Sequence, residues 1–123
     1  MDPAPFDVQS EELEGGVLAF TVRGELDMNT APELENALEQ APGDEESSIM
    51  LDLSQCEFID STGIALIVRT WQRLDREGGS GGKGHVVLCC INSQVRRLLK
   101  ITGVESSISL YEERAAALAH LRG

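Results

Sequence analysis

The stretch Phe58-Ile59-Asp60-Ser61-Thr62-Gly63-Ile64-Ala65-Leu66-Ile67-Val68, FIDSTGIALIV, sets a small polar group between two apolar segments. Asp and Ser are favoured helix caps, because their oxygens accept hydrogen bonds from the free N–H groups of a first helical turn. Gly63 eases a sharp entry from strand to helix. Upstream, Ile49-Met50-Leu51-Asp52-Leu53 is a nearly continuous apolar run, the pattern of a strand covered on both faces. Downstream, Ile64, Ile67, Val68, Trp71 and Leu74 form one stripe at helical spacing. The segment reads as strand, turn and helix.

The same alternation extends outward in both directions. Phe6-Asp7-Val8 and the β-rich run from Val17 to Val22 flank Gly15-Gly16 and predict an antiparallel hairpin, closed by Gly24-Glu25-Leu26-Asp27 (GELD). Thr30-Ala31-Pro32-Glu33 matches a capping box. Its helix carries Leu34, Ala37, Leu38 and Ala41 and stops at Pro42-Gly43, before the acidic loop Asp44-Glu45-Glu46. After the central helix, GGSGGKG at 78–84 is a flexible link. Val86-Val87-Leu88-Cys89-Cys90-Ile91 reads as another buried strand. Ser93 is the expected cap of a third helix, with Val95, Leu98, Leu99 and Thr102 inward and Arg96, Arg97 and Lys100 outward. Gly103 stands where a helix C-terminal Gly belongs. Ile108-Ser109-Leu110 reads as a short strand, and Tyr111, Ala115, Leu118 and Leu121 as one face of a final helix. The order β-β-α-β-α-β-α-β-α predicts an α/β fold. Its sheet is mainly parallel, with an N-terminal antiparallel hairpin, four helices and right-handed crossovers. A single domain over 1–123 is expected, with 1–5 and 122–123 frayed.

Composition excludes several functions. Twenty-one acidic residues against 10 basic ones give a net charge of -11, the wrong balance for neutralising phosphates of nucleic acid. No apolar run reaches membrane-spanning length, and the N-terminus MDPAPFDVQSEE is acidic. No membrane span, no signal peptide and a cytoplasmic location are therefore expected. Cys56, Cys89 and Cys90 include no C-x-x-C pair and read as buried free thiols in a reducing compartment. His85 and His120 lack metal-ligand spacing, so neither a metal nor a cofactor is expected. GGSGGKG fails as a phosphate loop: Glu77 stands where a Gly is needed, Gly84 where Ser or Thr is needed, and the segment follows a helix. The nucleophile elbow G-x-S-x-G fails around Ser61, because Ile59 occupies the first Gly position. The chain does not read as an enzyme. Arg96, Arg97 and Lys100 read as the solvated side of a helix, against the alternative of a seat for an acidic partner.

What remains is Ser61. A hydroxyl there sits at the carboxyl edge of a parallel sheet, where α/β folds place their sites. A phosphate on it would face the positive end of a helix dipole and unpaired N–H groups. Ser61 is therefore either a plain helix cap or a candidate regulatory serine.

Three segments together resemble a known family. They are GELD with its capped helix, LDLSQCEFIDSTGIALIVRTWQRL, and HVVLCCINSQVRRLLKITG. From about Phe6 to Leu121 the chain resembles the STAS domain, and more narrowly the single-domain bacterial anti-sigma factor antagonists. The resemblance implies a phosphoprotein of partner switching in transcription regulation and stress response. The unphosphorylated antagonist would bind an anti-sigma factor that is also a serine kinase, releasing the sigma factor. Phosphorylation of the matching residue, Ser61, would end that binding, and a metal-dependent serine phosphatase would restore it. Thr62 stands where the family often has a second Ser and ranks well below Ser61. Asp27, Asp60, Ser61, Thr62 and Gly63 are the implied partner-binding residues. The alternative is a scaffold or accessory subunit in a sensory assembly or beside a transporter. The Gly-rich link and the acidic loop depart from the family pattern. Either a monomer or a weak sheet-edge dimer fits the sequence.

Overall fold

The computed structural model describes residues 5–13, 16–40, 48–77, 86–104 and 108–122, without the side chains of 74–77 and 122. Strands β1 (Asp7–Leu13) and β2 (Val17–Leu26) pair antiparallel, from Asp7↔Arg23 to Leu13↔Val17. Helix α1 (Ala31–Gln40) leads to β3 (Ser48–Ile59), which lies parallel to β2. Then follow α2 (Ser61–Glu77), β4 (Val86–Cys89), α3 (Ser93–Ile101), β5 (Ser109–Tyr111) and α4 (Arg114–Arg122). The sheet order is β1-β2-β3-β4-β5, parallel from β2 onward. The expected class, element order and hairpin all hold.

Two apolar layers sandwich the sheet. On one face Leu18, Phe20, Val22, Leu51, Leu53 and Leu88 pack with residues of α1, α2 and α3. On the other, Val17, Ala19, Met50, Val87 and Cys89 pack with Ala117 of α4. Alternation along β2 and β3 produces this division, since successive strand side chains point to opposite faces. Three helices cover one face and one covers the other.

Several local expectations shift. The expected 49–53 strand is only the core of β3, which runs on to Ile59. Its partner β2 keeps pairing through register shifts between Thr21 and Arg23 and between Gly24 and Glu25, so polar residues there do not end the strand. Strand β4 stops at Cys89, not Ile91, because Cys90 adopts φ 64° and leaves the extended path. Asn92, not Ser93, caps α3: its Oδ1 accepts the Val95 N–H at 2.9 Å while its Nδ2 donates to the Cys56 carbonyl at 2.7 Å. Of the expected inward face of α3, Val95 and Leu99 are buried and Thr102 is exposed at the C-terminal cap. Gly103 follows with φ 81°, as expected. Tyr111 belongs to β5, and on α4 Ala117 is buried where Ala115 was expected. The 42–43 stop, the 44–46 loop, the 78–84 link, His85, Ala41 and the Leu74 side chain lie outside the described residues. Cys56 and Cys89 are buried thiols and Cys90 is half-buried; burial pushes the Cys56 and Cys89 thiols up from their ordinary values.

Candidate functional site

The site stands where β2 and β3 end side by side. The register brings Leu26 opposite Ile59, and the Asp60 N–H donates to the Leu26 carbonyl at 3.0 Å. The two residues that follow these strand ends are Asp27 and Asp60. Parallel pairing therefore delivers both acids to one edge, 33 positions apart in sequence by subtraction of their numbers.

Asp60 is the cap of α2. Its Oδ1 accepts the Thr62 N–H at 2.9 Å and the Gly63 N–H at 3.0 Å. Its Oδ2 accepts the Met28 N–H at 3.2 Å, tying the helix start to the turn after β2. With Asp60 as cap, Ser61 becomes the first helical residue, and its side chain is exposed. Among the described residues no hydrogen bond holds the Ser61 hydroxyl. The plain-cap reading of Ser61 is thereby replaced: the neighbouring acid does the capping. Thr62 is exposed beside it.

Gly63 is required by packing. A Cβ there would lie 2.8 Å from both Ile59 Cγ1 and Leu26 Cγ, closer than carbon atoms approach. Only a bare Cα lets α2 start this near the two strand ends.

Asp27 organises its own turn. Its Oδ1 accepts the Asn29 N–H at 2.9 Å and the Thr30 N–H at 3.1 Å. The expected capping box fails at Thr30. Its hydroxyl turns back to accept the Asp27 N–H at 2.9 Å and to donate to the Glu25 carbonyl at 2.7 Å. The Glu33 N–H goes to the Thr30 carbonyl instead. The Thr30 side chain thus stiffens the GELD turn rather than the helix.

Sequence reading missed one member of this edge. Met28, next to Asp27, is 69% exposed, whereas Phe58, 44% exposed, lines a groove with Arg97, Leu98 and Ile101 of α3. An apolar residue directly after GELD was the available signal for Met28. On the basic face of α3, Arg96 pairs with Glu112 at 3.3 Å, while Arg97 and Lys100 are exposed. No helix among the described residues is long and apolar enough to cross a membrane.

Residues 10–117 match the STAS domain family. The chain belongs to that family. This STAS domain is 30% identical over 108 residues to the anti-sigma-F factor antagonist RsfB of Mycobacterium tuberculosis, covering 88% of this chain and 84% of that one. It is 28% identical over 111 residues to the anti-sigma F factor antagonist of Paenibacillus polymyxa, covering 89% and 91%. Among solved structures it resembles an anti-sigma factor antagonist from Mycobacterium paratuberculosis at TM-score 0.83 and 29% identity, covering 97% of this chain and 96% of that one.

Proposed function

We propose that this STAS domain is an anti-sigma factor antagonist, a cytoplasmic binding protein and kinase substrate without catalytic activity of its own. Its unphosphorylated form binds an anti-sigma factor that is also a serine kinase, and so frees a sigma factor. The kinase ends the complex by phosphorylating Ser61, and a metal-dependent serine phosphatase restores it. Relatives named for this activity, matching over most of both chains, support the class. The observation that carries the switch is the division of labour between Asp60, which caps α2, and Ser61, whose hydroxyl is exposed and, among the described residues, unengaged.

The chemistry follows from that division. A phosphoserine brings about -1.5 to -2 charge. The dipole of α2 favours an anion at this point, but Asp60 already occupies the Thr62 and Gly63 N–H groups. The new charge therefore stands beside an acid, pointing to solvent, and the fold has nothing to rearrange. A partner seated on Met28 and the two acids meets a dianion instead of a hydroxyl. A loss of about 3–4 kcal/mol at such an interface lowers affinity by two to three orders of magnitude.

Pull-down from native lysate with wild type, Ser61→Ala and Ser61→Asp tests the switch. Wild type and Ser61→Ala retain one ATP-binding kinase, and Ser61→Asp loses it. Equal capture by all three, or capture of a transporter or sensory assembly, replaces the switch with a scaffold role.

A further inference from the structure

On the opposite sheet face, beside α4, three metal-ligating side chains converge away from the Ser61 edge. Asp52, Cys89 and Cys90 each present one ligand atom, all within 4.8 Å of one another. The two sulfurs are 3.1 Å apart. Asp52 and Cys89 are register partners across β3 and β4. Adjacent residues of a strand point to opposite faces, so neighbouring cysteines ordinarily part company. Here Cys90 adopts φ 64°, with its N–H held by the Tyr111 carbonyl at 2.9 Å. That reversal returns its sulfur to the side of Cys89. Asp52 and Cys89 are buried and Cys90 is half-buried, which leaves a way in from solvent.

We propose that Asp52, Cys89 and Cys90 form a binding site for one thiophilic divalent cation of the zinc class. The donor set of two sulfurs and one carboxylate oxygen suits such an ion, with a fourth position left for water beside half-buried Cys90. Tetrahedral zinc with bonds of about 2.3 Å separates two sulfurs by about 3.8 Å. The 3.1 Å pair opens to that spacing by a small turn of the Cys90 side chain. The carboxylate is already aimed: its Oδ1 accepts the Ser54 N–H at 2.9 Å and its Oδ2 accepts Arg114 Nε at 2.8 Å, and with the Ser54 hydroxyl also bonded to it the carboxylate keeps one acceptor position for a cation.

Charge favours the exchange. Arg114 also contacts Glu11 at 3.4 Å, so the guanidinium that faces the cluster is matched by two acids. Two thiols give up two protons to one divalent cation, and the charge of the buried cluster does not change. A hard cation gains nothing from the sulfurs and is not selected.

The test uses the reduced, metal-free chain and Cd2+, read by the ultraviolet thiolate-to-cadmium absorption. Excess Ca2+ occupies surface carboxylates. Wild type gives a saturable band at about one Cd2+ per chain, and Zn2+ displaces the cadmium. Cys90→Ser, at a half-buried position, weakens binding about 10-fold or more, Asp52→Asn weakens it by a smaller factor, and Cys56→Ser leaves it unchanged. Circular dichroism without metal establishes that each variant is folded. Alkylation of the unmodified chain supplies a readout that needs no variant: Cd2+ protects Cys90 from iodoacetamide. An absent or non-saturating band in wild type, full binding by Cys90→Ser, equal loss in Cys56→Ser, or no protection of Cys90 overturns the site. Unchanged affinity in Asp52→Asn overturns the three-ligand assignment.

Discussion

Two aspartates on or just beyond β3 are satisfied in opposite ways. Asp52, in the middle of the strand, is buried and holds Arg114 Nε at 2.8 Å, a partner 62 residues away. Asp60, one residue past the strand, is half-buried and, among the described residues, takes only backbone N–H groups, from Thr62, Gly63 and Met28. A buried carboxylate neutralised by a half-buried guanidinium locks its surroundings, because the buried charge is costly to leave alone. A carboxylate satisfied by a helix start leaves neighbouring side chains unengaged. The first arrangement joins α4 to the sheet. The second leaves Ser61 open to another protein.

The contrast can be broken from the Asp52 side with the largest effect. Arg114→Ala leaves a buried carboxylate without its cation and destabilises the fold by about 2–3 kcal/mol, the low end for a buried pair because Arg114 is partly exposed. A lowered urea midpoint at unchanged slope measures it. At the Asp60 edge the largest effect comes from Gly63→Ala, where overpacking against Ile59 and Leu26 outweighs the helix preference of Ala. The net loss is about 1–2 kcal/mol by the same urea titration, with weakened partner capture as α2 is pushed outward. Asp60→Ala removes the cap and costs about 1 kcal/mol in thermal unfolding. Ser61→Ala costs less than about 0.5 kcal/mol, since the hydroxyl bonds nothing in the described fold. A loss near that of Asp60→Ala would return Ser61 to a capping role.

Acid sharpens the same comparison. Burial pushes the Asp52 carboxyl up, but the Ser54 N–H and Arg114 outweigh it, so the folded value lies below the ordinary one. A lowered folded value means that the Asp52 contribution is complete above the unfolded value of about 3.9. It is lost as pH falls further, through the folded value. Asp52→Asn removes this part of the acid dependence of unfolding, whereas Ser61→Ala leaves it intact.

The element order and the Asp60 edge were legible because each leaves a local mark. Apolar runs, helical stripes and the D-S-T-G group are written in neighbouring residues. The assignment of caps was less legible. Asp60 and Asn92 surpass adjacent serines, and which of two neighbouring polar residues caps depends on where the strand delivers the backbone. Thr30 sits in a good capping-box pattern, yet its hydroxyl is drawn to Glu25 and Asp27 by the turn. The Asp52–Arg114 pair was invisible, since nothing near Asp52 in sequence announces a cation 62 residues later. The Cys89–Cys90 pair was hidden for a similar reason: only the backbone reversal at Cys90 places both sulfurs together.

The bond from the Met28 N–H to Asp60 Oδ2 spans 32 residues and crosses from the end of one parallel strand to the start of a helix. Parallel pairing is a late, non-local event in a folding chain, because loop closure comes before its reward. Met28 and Asp60 meet only after β2 and β3 have found their register. Under the proposed switch, a kinase that reads this edge would be reading a certificate of completed folding, and a nascent or damaged chain carrying the same D-S-T-G letters would have nothing to show it.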